Sequence, residues 1–111
     1  MARTPARVWG HELTAVVAQL AIRSRRVAVA GIAPFERFPS LPTTLAHYLR
    51  ERALVLDDVA GSVCCEHPSA QWIGASDGVD IDADFFARDG FHPSAAGYGR
   101  WARAVADQLH L

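Results

Sequence analysis

The sequence predicts an α/β domain in which three helices pack on a short parallel sheet. Three observations point there. Apolar residues recur at helical spacing over residues 5–23, 43–60 and 94–109. The run Arg26-Val27-Ala28-Val29-Ala30-Gly31-Ile32-Ala33-Pro34 is rich in Val and Ile. It reads as a strand buried on both faces, as parallel strands are. Gly and Pro punctuate the junctions between these segments.

In the first helix, Thr4 followed by Pro5 suits the cap and the first turn. Trp9, Leu13, Val16 or Val17, and Leu20 share one face. Arg23, Arg25 and Arg26 then complement the helix dipole. That reading suits the near-neutral chain better than a basic recognition patch. The strand is placed at 27–32 and a Pro-rich loop follows it. A second helix is expected over 43–60, with Thr43 or Thr44 as its cap. Leu45, Leu49, Ala53, Leu56 and Ala60 fall in phase, and Gly61 is the expected stop. Either Val63-Cys64-Cys65 or Gln71-Trp72-Ile73 offers a further short strand, and Ser76-Asp77-Gly78 a turn. The third helix opens at Pro93 or Ser94. Tyr98, Trp101 or Ala102, Val105 and Leu109 form its apolar stripe.

The segment Asp89-Gly90-Phe91-His92-Pro93-Ser94 carries the chemistry. An imidazole acting as a base needs a partner that fixes its tautomer and steadies the imidazolium. A carboxylate three residues upstream, on a loop that stops at a proline, supplies one. His67-Pro68-Ser69-Ala70 repeats the tetrapeptide of 92–95. It has Cys64 in place of the carboxylate and no apolar stripe after it, so His67 reads as a loop histidine. Asp89 and His92 could instead merely brace a helix start.

This run closely resembles the last block of the SGNH (GDSL-type) ester hydrolases, in which Asp-x-x-His-Pro supplies two members of a catalytic triad. The resemblance implies His92 as general base and Asp89 as the residue that orients it. It also implies part of a three-layer, flavodoxin-like α/β/α fold and a small-molecule or lipid ester as substrate. The likeness is concentrated in 85–106, and the run at 27–42 is similar to the strand and Pro-rich loop of many such proteins. The family's Gly-Asp-Ser and Gly-x-Asn-Asp blocks do not occur in this sequence, which contains no Asn. Residues 1–111 therefore look like one partial domain, the half after the Asn-bearing block. No other serine has a nucleophile-elbow context. The partners implied are the missing N-terminal half or a second copy, and negligible activity is expected alone. The rival reading is a truncated binding or complementation module.

Composition narrows the rest. Half the 111 residues are hydrophobic and the net charge is −1, which argues against a nucleic-acid or anionic-membrane footprint. No apolar run is long enough for a transmembrane segment. All eleven basic residues are Arg, as GC-rich bacterial coding favours. Cys64 and Cys65 are adjacent, an arrangement unsuited to a structural disulfide between them. With no signal-peptide pattern, a reducing cytoplasmic setting is expected. Asp80, Asp82 and Asp84 alternate as in a calcium loop, but Phe85 and Phe91 stand where Gly and Glu are required. Cys64, Cys65 and His67 lack zinc-site spacing. No metal or cofactor is expected. His11, His47 and His110 read as solvent-facing.

Overall fold

Trp9, Leu13 and Val17 recur every four residues, and that row makes Ala6–Arg23 a core-facing helix, α1. The computed structural model describes residues 5–109. The expected cap Thr4 and His110 lie outside them, and Pro5 occupies the N-cap position. Leu13 and Val17 are buried, while Val16 and Leu20 are half exposed, which settles the phase of the helix. Strand β1 (Val27–Ala30) follows, then helix α2 (Thr43–Glu66), strand β2 (Ala70–Ile73) and helix α3 (Ala95–Gln108). Short 3-10 turns occupy Phe35–Arg37 and Ala83–Phe85. The result is a mixed α/β unit built on one β-α-β segment.

The second helix does not stop at Gly61. It runs to Glu66, so Val63-Cys64-Cys65 is helical and the second strand is the Gln71-Trp72-Ile73 segment. A helical Gly costs roughly 1 kcal/mol. Burial of Cys64 and packing of Val63 on the core outweigh that cost. Neither Thr43 nor Thr44 caps this helix; Pro42 stands at the N-cap and no side-chain bond is made. Ala46, not Leu45, is the buried residue of its first turns.

Strands β1 and β2 pair in parallel, Val27 opposite Ala70 and Ala30 opposite Ile73. Helices α1 and α2 cover one face, where Leu13, Val17, Val27 and Ala60 form a core with Trp72 packed against it. The Trp9 indole N–H donates to Leu56 O at 3.2 Å and ties the two helices together. Ala28 and Ala30 are exposed on the other face. The expectation of a strand covered on both faces therefore fails for β1, because no helix among the described residues lies over those two alanines.

The edges of this small sheet differ. Val27 N–H donates to Ser69 O and Gly31 N–H to Ile73 O, so alternate residues of β1 face β2. Ala28 and Ala30 then present their backbone groups outward, with no third strand among the described residues. The outer side of β2 is closed at both ends. Ala70 N–H donates to His67 O. The Gln108 carboxamide lies along Gly74, accepting from its N–H at 3.1 Å and donating to its carbonyl at 3.2 Å. Gln71 in turn donates to Gln108 O. Gln108→Ala is expected to cost about 1–3 kcal/mol in urea unfolding, since buried Gly74 loses both partners.

A second, separate core of Val79, Phe85 and Ala104 holds α3 in place. The buried residues of α3 are Gly97 and Ala104, whereas Tyr98 and Trp101 of the expected stripe are 53% and 38% exposed. With two small cores the molecule is slab-shaped, 40 × 31 × 17 Å. Its radius of gyration is 15.0 Å, against about 13 Å for a compact domain of this length. Its accessible surface is 7448 Å², against roughly 6,000 Å² expected from its mass.

Candidate active site

Gly90 makes the turn that brings Asp89 and His92 together, with φ at +66° in the left-handed region that glycine tolerates. One oxygen of Asp89, Oδ1, accepts the backbone N–H groups of Phe91 and His92, both at 2.9 Å. The other, Oδ2, lies 2.6 Å from His92 Nδ1. The carboxylate thus shapes its own loop with one oxygen and holds the imidazole with the other. Donation from Ala87 N–H to His92 O at 2.8 Å closes the loop from behind.

The pair is exposed, with the His92 side chain 67% and the Asp89 side chain 48% accessible. Nε2 of His92 has no hydrogen-bond partner among the described residues. An imidazole whose Nδ1 proton is held by a carboxylate presents a free, basic Nε2. That is the arrangement a general base requires, and it faces open solvent.

The carboxyl of Asp89 is held down at about 2, from an ordinary 3.8, by the imidazole and then by the two backbone N–H groups. Because the folded value lies below the unfolded one, this turn contributes stability that is complete above the ordinary carboxylate range. The contribution is lost as pH falls from there through about 2. The side-chain carboxyl carbon of Asp89 is expected to report its acid transition near pH 2 and not near 4. A transition of that resonance centred near pH 4 would show that the carboxylate is not so held.

Behind the pair, rings pack edge to face. Phe91 lies 5.2 Å from the His92 ring and 5.4 Å from Phe38, which itself meets Phe86 at 5.3 Å. The Pro-rich loop is thereby fastened to the histidine loop, and Ser40 N–H donates to Gly90 O at 3.3 Å. Sequence reasoning missed this column. Its signal was available: all five phenylalanines fall in 35–38 and 85–91.

Ser94 follows His92 by two residues, but its hydroxyl is engaged. It donates to Asp84 O at 2.6 Å and accepts the Gly97 N–H at 3.1 Å, capping α3 as expected. The Ser40 hydroxyl lies on the neighbouring loop and bonds to no described residue. No serine among the described residues reaches Nε2. His67 is a loop residue, its Nδ1 accepting from Ser69 N–H at 3.2 Å. Asp82, in the alternating acidic stretch, is bound to Arg100. That guanidinium lies 2.8 Å from Asp82 Oδ1 and 2.9 Å from Asp80 O, and it lowers the carboxyl's pKa. The acidic stretch is therefore clamped to α3. No group of three metal-ligating side chains occurs among the described residues.

Fold and site together define a mixed α/β unit that carries an exposed, carboxylate-held histidine just before a helix. No family model matches the chain, and no curated protein or solved structure matches it either. No helix among the described residues is long and apolar enough to cross a membrane.

Proposed function

We propose that Asp89 and His92 are the orienting carboxylate and general base of an SGNH-type carboxylic ester hydrolase, whose serine lies on a segment outside residues 5–109. The observation that carries this reading is the 2.6 Å contact from Asp89 Oδ2 to His92 Nδ1, with Nε2 left open. In the reaction Nε2 takes the serine proton as the hydroxyl attacks the ester carbonyl, and returns it to the leaving alcohol. Water then repeats the cycle on the acyl-enzyme. Asp89 keeps the proton on Nδ1 and stabilises the imidazolium.

The completing segment brings the nucleophile and the oxyanion donors, and extends the sheet into the flavodoxin-like three-layer form. Three features support such a segment: the unpaired outer edge of β1, the uncovered Ala28 and Ala30, and the surplus surface. That surplus exceeds the roughly 800 Å² that one partner contributes to an ordinary interface. Without the nucleophile no acyl-enzyme forms, and each absent oxyanion donor removes about 3 kcal/mol of transition-state stabilisation. The second reading, a binding or complementation module, is favoured by the engagement of Ser94 in capping.

The two readings separate on the intact mass of the protein in its source cells, detected through the α3 segment. A heavier species that hydrolyses a short p-nitrophenyl ester and loses that activity in His92→Ala supports the enzyme. A species at 12.1 kDa with no hydrolysis supports the module. Hydrolysis that survives His92→Ala removes the histidine from the chemistry altogether.

A further inference from the structure

A pocket of about 190 Å³ opens beside the Asp89–His92 loop. It lies past the carboxyl ends of both strands, lined there by Gly31 and Ala33 after β1 and by Ala75 after β2. Open α/β sheets bind ligands at that end. Phe38 and Phe85 wall it, and Tyr98 and Trp101 line it from α3. Pro93, the residue after His92, also lines it.

The lining states the chemistry of what can enter. No charged side chain faces the space, and the polar side-chain groups on its wall are a phenol and an indole N–H. A charged group buried there would be left without a partner, at a large cost. An apolar chain meets no such penalty and gains about 0.8 kcal/mol for each methylene it buries. Size then sets the limit. An apolar cavity of about 150 Å³ holds a benzene-sized group, so this pocket accommodates an unbranched chain of about four to six carbons. Tyr98 and Trp101 sit one helical turn apart with their rings half exposed, an apolar surface that α3 leaves beside the histidine loop.

We propose that this pocket holds the acyl chain of the ester and selects chains of about four to six carbons. The assignment rests on the ester-hydrolase reading of Asp89 and His92, but binding in the pocket needs neither the serine nor turnover. The test follows the Trp101 indole N–H in the full chain by NMR, identified by its loss in Trp101→Phe. Methyl esters from acetate to decanoate are titrated in.

Affinity is expected to rise about fourfold per methylene up to hexanoate and then to level off. Ala33→Leu fills the space and moves the break to a shorter chain. Trp101→Ala widens it and moves the break to a longer one, followed there through the Tyr98 ring resonances. Because Trp101 is half exposed, that variant keeps the fold if Ala33→Leu does not. A uniform rise through decanoate, with no break, would mean a greasy surface in place of a pocket. An unmoved Trp101 resonance across the series also overturns the assignment. The two readings fail separately. A missing series in a protein whose His92 Nδ1 proton is held by Asp89 refutes the pocket alone. A normal series in a protein lacking that held proton refutes the ester reading, and the acyl assignment with it.

Discussion

Gly97→Ala is expected to undock α3 and open the Val79–Phe85–Ala104 core, while the core between α1, α2 and the sheet still unfolds cooperatively in urea. A Cβ at position 97 would sit 2.1 Å from Phe85 O and 3.0 Å from Phe85 C. Those atoms are backbone and cannot swing aside. The same carbonyl accepts the N–H of Ser94 at 2.8 Å, so retreat of the 83–86 segment also breaks the α3 cap. Overpacking ordinarily costs about 1–3 kcal/mol where side chains can adjust. Here the only relief is separation of α3 from Phe85, which opens the Val79–Phe85–Ala104 core. Gly99→Ala is the control. The space beside that glycine is empty, and alanine there is expected to stabilise α3 by about 0.5–1 kcal/mol. Equal behaviour of the two variants would show that the close approach at Gly97 does not exist.

Asp89→Asn is expected to show the opposite profile, intact fold with failed chemistry. Asparagine keeps an oxygen for the Phe91 and His92 N–H groups, so the turn survives. Its amide nitrogen then faces Nδ1 as a donor, which leaves Nδ1 the acceptor and puts the imidazole proton on Nε2. A base whose acceptor points at its own support takes no serine proton. In the hydrolase completed by its serine, kcat is expected to fall about 10⁴-fold, while the variant still folds and loses only the acid-sensitive stability that the ionised carboxylate contributes. Nitrogen NMR of His92 reads the tautomer directly, without turnover. Protonated Nδ1 in the parent and protonated Nε2 in the variant is the expected pair. An unchanged tautomer would disconnect Asp89 from the histidine.

These two residues mark how far the sequence could be read. The loop at 89–92 was legible because its forces are local: a carboxylate within three residues of its acceptors, a glycine at the turn and a serine cap just beyond. Helix α1 was legible for the same reason, through a row of residues spaced by four. What failed depended on contacts distant in the chain. Gly61 resembles a stop until Cys64 and Val63 find the core. The inward face of α3 is set by how closely Gly97 approaches Phe85, so the small residues turn in and the aromatic ones out. The Arg100 clamp joins residues about twenty positions apart, and the acidic alternation at 80–84 gave no hint of it. The uncovered side of β1 follows from which layers are present, and an apolar strand looks the same with or without its cover.

The carboxamide of Gln108 on Gly74 has an effect on stoichiometry. With Ala70 and Gly74 on the far side of β2 already bonded within the molecule, strand joining is directed to β1. Two molecules meeting edge to edge through β1 would each use up their open strand, so that route pairs molecules and does not by itself build a filament.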